Sequence, residues 1–180
     1  MKPLLFYPYD VLGIDPGPEQ SGWMLVRATG GGAAHYVEAG VVPSRGRDFA
    51  RLLSRFQLAA VAVERPRWHA REASPVAMRA MAQQLVETMY VAARFIERVR
   101  ACTPPVHCLE LPAAVWRKGL LGNGQSNDAA IKRALAPILK LPKRTNAHER
   151  DAGGVALAAV RLLANKGGAG PYGQSEFDAA

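Results

Sequence analysis

The sequence predicts an α/β fold: a mixed five-stranded sheet, three antiparallel strands and then two parallel ones, with helices on both faces. Three observations lead there. Three strand-like segments follow one another through short links before residue 43, and short links join antiparallel neighbours. Helical patterns then alternate with two further apolar runs, the order that builds parallel strands. The 180 residues are 49% hydrophobic and 21% charged, ordinary globular usage that excludes a disordered or fibrous chain and suits one domain of two packed layers around one core.

The first strand covers Tyr9 to Ile14 and stops at Asp15, because Pro16 and Gly17 end it abruptly. A second runs from about Gly22 to Ala28, the glycines at 30 to 32 make a loop, and Tyr36 to Val42 alternates as a third. Phe49, Leu52, Leu53 and Phe56 fall at helical spacing within Arg47 to Gln57, and Ala59 to Glu64 reads as a buried fourth strand. Ser74 as N-cap and Pro75 at the first helical position open a long helix to Arg100. It carries two apolar lines, Met78, Met81, Leu85 and Met89 on one and Val91, Phe95 and Val99 on the other. One is expected to cover the sheet and the other to meet something else. After Pro104 and Pro105 comes a fifth strand, Val106 to Leu111. A short helix at Pro112 to Lys118, another at Asn127 to Ala136 that Pro137 kinks or ends, and a last helix at about Ala147 to Ala164 complete the order. One folded domain is expected over residues 1–164. Residues 165–180, with Gly167, Gly168, Gly170, Pro171 and Gly173, have the composition of a flexible end.

Lys and Arg number 23 against 15 Asp and Glu, a formal charge of +8, which makes an anionic polymer the first partner to consider. Between 117 and 150, Arg117, Lys118, Lys132, Arg133, Lys140, Lys143, Arg144 and Arg150 face only Asp128 and Glu149, eight against two. Most of the excess is therefore local. The two cysteines, Cys102 and Cys108, form no CxxC pair, which argues against a disulfide framework or zinc ribbon and for a reducing compartment. Soft-metal ligation with His107 competes with simple packing of Cys108 in a buried strand, and packing is preferred. No apolar run spans a bilayer, and Pro3, Pro8 and Asp10 interrupt the stretch that a signal sequence keeps apolar. A cytoplasmic protein is expected.

Asp15 and Glu64 both fall at the ends of predicted strands. If those strands are neighbours, the two side chains emerge side by side. Asp151 stands near the start of the last helix with His148 one turn earlier on the same face. That face continues as Ala152, Val155, Ala159 and Leu162, an apolar line that packs on the sheet and aims the polar turn at the strand ends. Acids are gathered in this way for hard divalent cations. Mg²⁺ prefers oxygen ligands, and two ions about 4 Å apart support in-line attack on a phosphodiester. Each residue also has a plainer reading: Asp15 as a turn residue, Glu64 as the ion-pair partner of Arg65, His148 as a surface histidine. Glu149 is set aside because Asn146 and Glu149 make a capping box. Arg65, Arg67, Trp68, His69 and Arg71 follow Glu64, a mix of cations and one large aromatic that suits contact with unstacked bases or strand backbone.

These motifs are familiar. Leu12, Gly13, Ile14, Asp15, Pro16 and Gly17, continued by Ser21, Gly22 and Trp23, closely resemble the opening of RuvC-type Holliday junction resolvases. Ala60 to Glu64 resembles that family's second acidic strand, Leu120 to Gly124 its glycine loop, and His148 to Ala152 its closing helix. The resemblance covers about residues 9–164. It implies an RNase H-like fold and a homodimer, here through the helix 74–100, that nicks symmetric strands of four-way DNA junctions. It also implies Mg²⁺, as two ions, with Mn²⁺ able to substitute. Asp15, Glu64 and Asp151 would be ligands, and His148 a ligand or the group that orients the attacking water. DNA contacts would fall to Arg65, Arg67, Trp68, Arg71, Arg117, Lys118, Lys132, Arg133, Lys143 and Arg144. Two departures stand out. Asp128 occupies a position where the family usually has lysine, and Trp68 is displaced by about one position from the expected aromatic. A branch-migration helicase partner is unidentified. The rivals are an RNase H-like nuclease of flap or fork DNA or structured RNA, an actin-like phosphate-binding ATPase, for which 180 residues hardly provide two lobes, and a DNA-binding module without chemistry.

Overall fold

A computed structural model describes residues 8–66, 74–122 and 127–166. Its strands are β1 (Tyr9–Asp15), β2 (Gln20–Gly30), β3 (Ala33–Pro43), β4 (Leu58–Arg65) and β5 (His107–Pro112). Its helices are α1 (Asp48–Arg55), α2 (Pro75–Arg100), α3 (Ala113–Leu121), α4 (Asp128–Leu139) and α5 (Ala147–Lys166). The sheet order is β3-β2-β1-β4-β5. The pairs β1/β2 and β2/β3 are antiparallel, while β1/β4 and β4/β5 are parallel, as the sequence predicts.

Because side chains alternate across a strand, each central strand feeds two cores. Leu12 and Ile14 of β1 and Val61 and Val63 of β4 face Phe49 and Leu52 of α1 and Val91, Phe95 and Val99 of α2. Val11, Ala60 and Ala62 face the other way, against Trp116 of α3, Leu135 of α4 and Val155, Ala156 and Ala159 of α5. Each large side chain removed from water in this way contributes about 1.5–3 kcal/mol before entropy is counted.

Helix α5 lies unusually close to the sheet, and glycine makes that possible. A Cβ on Gly13 would stand 2.0 Å from the Ala152 carbonyl oxygen, and one on Gly22 would stand 2.4 Å from the His148 carbonyl. On the helix itself, a Cβ on Gly154 would meet the Trp116 ring at 2.4 Å, and one on Gly153 would meet Met24 Sδ at 2.6 Å. Two mid-helix glycines weaken a helix on propensity alone, so their gain lies in this contact.

Several expectations are corrected. The second and third strands extend to an 11-residue pair, Gln20–Gly30 with Ala33–Pro43, because their ladder continues to the turn glycines. Helix α4 passes over Pro137 and ends at Leu139, where Leu139 is fully buried and Lys140 takes the left-handed conformation that stops the helix. Helix α3 runs on to Leu121 rather than stopping at Lys118, and α5 reaches Lys166, two residues past the expected end of that helix at Ala164. Cys108 is half-buried rather than in a closed core. On α2, Val91, Phe95 and Val99 cover the sheet, while Met78, Met81 and Met89 are exposed. Ser74 caps α2 by accepting from the Ala77 N–H, and Asn146 and Glu149 make the reciprocal capping box at the start of α5. No helix among the described residues is long and apolar enough to cross a membrane.

Candidate active site

Alternation along β1 puts Asp15 on the α5 side with Val11 and Gly13, and along β4 it puts Glu64 there with Ala60 and Ala62. The parallel ladder's last pair is Ile14 with Val63, so each acid comes one residue after it, at neighbouring strand ends. Gly22 lies opposite Asp15 in the β1/β2 register, and the first turn of α5 rests on it. His148 Nδ1 is thereby brought 2.6 Å from Asp15 Oδ2. Asp151 follows one turn later on the same helix.

The turn after Asp15 is pinned by buried hydroxyls. Ser44 Oγ donates to the Gly17 carbonyl at 2.6 Å, Ser21 and Ser44 Oγ lie 2.7 Å apart, and the Gly17 N–H donates to Ser21 Oγ at 3.3 Å. Helix α3 supplies the other partners. The Trp116 indole N–H donates to Glu64 Oε2 at 2.9 Å, and Arg117 Nη2 donates to Asp151 Oδ2 at 3.2 Å.

The three acids crowd one partly buried site. Burial first, then the Asp15 carboxylate, pushes Glu64 up to about 8, against the pull of the Trp116 hydrogen bond and Arg117. The same two causes, in the same order, push Asp151 up to about 6, with Arg117 opposing. The hydrogen bond to Asp15 holds His148 above the usual histidine value. A site of this kind fits a hard divalent cation, which takes oxygen ligands and would neutralise the repulsion. Among the described residues no three His, Cys, Asp or Glu side chains stand gathered as a ready-made cage. Instead each acid is turned onto a protein donor: Asp15 to His148, Glu64 to Trp116, Asp151 to Arg117.

Of the expected DNA contacts, Arg65, Lys118, Lys132, Arg133, Lys143 and Arg144 are solvent-exposed. Arg67, Trp68 and Arg71, with His69, lie outside the described residues, as do Asn123 and Gly124 of the glycine loop. Arg117 differs from expectation by sitting half-buried among the acids. Arg150, counted above in the basic stretch, is buried and held by both carboxylate oxygens of Asp128 and by the Thr145 carbonyl, so it adds nothing to the exposed charge. Sequence reasoning passed over Trp116 and Ser44. The signal for Trp116 was chemical: a buried indole N–H needs an acceptor.

A mixed sheet in this strand order, with an acid closing each of two neighbouring parallel strands and a third on the helix packed across them, is the RNase H-like arrangement. Within that class the family is specific. The model of the family described as crossover junction endodeoxyribonuclease RuvC matches residues 11–159, and the chain belongs to that family. It is accordingly a divalent-metal-dependent nuclease. Similar relatives are the RuvC crossover junction endodeoxyribonucleases of Caulobacter sp. (strain K31), 28% identical over 162 residues, and of Caulobacter vibrioides (strain ATCC 19089 / CIP 103742 / CB 15), 27% identical. Each alignment covers 88% of this chain and 94% of the relative. Among solved structures, T. thermophilus RuvC in complex with Holliday junction substrate is similar at a TM-score of 0.63 and 22% identity, covering 87% of this chain and 97% of that one. The yeast mitochondrial Holliday junction resolvase Ydc2 follows at 0.52 and 15%, covering 91% and 84%. At these identities the likeness is one of fold.

Proposed function

We propose that this chain resolves four-way DNA junctions by paired, symmetric phosphodiester nicks, with Asp15, Glu64 and Asp151 as ligands of two Mg²⁺ ions for which Mn²⁺ can substitute. The observation that carries the reading is the strand-end pair of acids on the α5 side, with Glu64 and Asp151 both pushed up by burial and by the charge of Asp15. Divalent ions supply water activation and charge neutralisation at the reacting phosphate. The protein's own part is orientation. Trp116 fixes one Glu64 oxygen, the pinned turn of Gly17, Ser21 and Ser44 fixes the backbone beside Asp15, and His148, held against Asp15, ligates metal or orients the attacking water.

DNA is held by the exposed cations Arg65, Lys118, Lys132, Arg133, Lys143 and Arg144, with Arg67, Trp68 and Arg71, which lie outside the described residues, as further contacts of this reading. Phosphate contacts of this kind position the substrate without reading its sequence. The exposed line of Met78, Met81 and Met89 on α2 supplies the two-fold interface, since a symmetric dimer presents two identical sites to a symmetric junction. The nuclease domain of this reading is residues 1–164 extended to the end of α5, with the remaining tail given no role. Cys102 and Cys108, which form no disulfide, and a DNA substrate suit action in the cytoplasm.

A synthetic four-way junction, a linear duplex and a structured RNA, each incubated with Mg²⁺ and with cut positions mapped on every strand, test the reading. Paired nicks at symmetric positions of the junction are expected, and Asp15→Asn should bind the junction without nicking it. Equal cutting of duplex or RNA would contradict the substrate assignment.

A further inference from the structure

We propose that Arg117 is an internal counter-cation of the acid cluster. It holds Asp151 while no divalent ion is present, must leave when one enters, and then turns to a substrate phosphate. The inference rests on the reading of Asp15, Glu64 and Asp151 as metal ligands.

Arg117 follows Trp116 on α3, and the two side chains reach two different acids, Asp151 and Glu64. Its guanidinium carbon stands 5.0 Å from the centre of the Trp116 ring, which supports the cation from beneath. The hold on Asp151 is nevertheless incomplete. A guanidinium has five N–H donors. Here one Nη2 contact of 3.2 Å engages the carboxylate, and Nε is buried without a hydrogen-bond partner. An arginine in its best-bound state would make a two-pronged contact and leave no N–H buried and unpaired. Arg150, the residue before Asp151, makes such a two-pronged contact to Asp128, and the contrast is visible within one molecule.

The charge balance points the same way. The Arg117 guanidinium places positive charge 3.2 Å from an Asp151 oxygen, so it does part of what a divalent ion would do for that oxygen. An ion drawn to that oxygen would sit beside the guanidinium, like charge against like, and the weaker single contact is the one that gives way. Lys118, the next residue, is solvent-exposed, and the proposal gives the released guanidinium the same class of ligand, a substrate phosphate.

The test is Mn²⁺ binding to the full chain without DNA, by titration calorimetry at fixed ionic strength, for the wild type, R117A, R117Q and R117K. Removing the competing cation should tighten Mn²⁺ binding about fivefold in R117A and R117Q, whereas R117K should stay near the wild type. Single-turnover junction cleavage at saturating Mn²⁺ should nonetheless fall at least about tenfold in R117A, because the phosphate contact is lost. Unchanged or weaker Mn²⁺ binding in folded R117A and R117Q would overturn the proposal, as would an R117K affinity equal to that of R117A. A wild type that binds no Mn²⁺, alongside a D151N control that behaves identically, would overturn the metal-ligand reading itself and this inference with it.

Discussion

His148 Nδ1 lies 2.6 Å from Asp15 Oδ2, joining the first turn of the last helix to the end of the central strand. The contact exists because Gly22, opposite Asp15 in the sheet, has no Cβ to hold the helix away. A strand end, a glycine and a helix start thus form one unit, and its Asp15 carboxylate is one of the charges that raise Glu64 and Asp151.

The sign of the response to pH follows from proton binding. Glu64 is raised from 4.5 to about 8 and Asp151 from 3.8 to about 6, so the folded state binds protons that the unfolded state has released. Both carboxyls therefore favour folding at low pH and lose that contribution as pH climbs from about 4 to about 8. His148, raised above 6.5, acts in the same direction: its contribution is complete below 6.5 and is lost as pH rises through the folded value. Denaturant unfolding in EDTA should show stability falling from pH 5 to pH 8 by on the order of a few kcal/mol. Saturating Mg²⁺ or Glu64→Gln should flatten the fall. Stability in EDTA that stays level or rises over that range would show that the acids do not share a buried, repelling site.

Trp116→Phe keeps an aromatic ring beside Gly154 and removes the indole donor to Glu64 along with part of the buried ring volume. Loss of a partner for a buried acceptor costs about 1–3 kcal/mol of stability. Cleavage at saturating Mg²⁺ is expected to drop about tenfold while junction affinity stays near the wild type. Single-turnover kinetics beside a binding titration separate the two, and a wild-type cleavage rate would remove Trp116 from the positioning of Glu64.

Much of this was legible beforehand and some was not. Asp15 and Glu64 could be placed because local signals end their strands: a Pro-Gly turn after one, a run of small apolar residues before the other. The apolar line Ala152, Val155, Ala159 fixed which face of α5 meets the sheet, and so where His148 and Asp151 point. The roles of α3 were hidden because Trp116 reaches Glu64 across 52 positions and Arg117 reaches Asp151 across 34, and no local pattern carries such separations. Arg150 looked like surface charge for the same reason, its partner Asp128 being 22 residues away. Pro137 misled because the buried Leu139 beyond it outweighs one missing hydrogen bond.

Met81→Glu with Met89→Glu should yield a folded monomer, since both methionines are exposed while the opposite line of α2 holds the core. Sedimentation velocity at micromolar concentration is expected to show a dimer for the wild type and a monomer for the variant. Paired nicks should give way to single ones. A variant that remains dimeric and nicks in pairs would move the interface elsewhere.

Lys132→Ala with Arg133→Ala removes two exposed cations of α4. If both contact phosphates, the slope of log affinity against log salt should become shallower by about 2, with weaker binding to every branched substrate alike. An unchanged slope would take this helix out of the DNA path.

The central claim is that Asp15, Glu64 and Asp151 jointly hold the divalent metal of a nuclease. Anomalous diffraction from crystals of the full chain soaked in Mn²⁺ tests it most directly. The account predicts Mn²⁺ peaks within bonding distance of all three carboxylates, with Arg117 withdrawn from Asp151. Peaks elsewhere, or none under conditions in which Mn²⁺ supports cleavage, would contradict it.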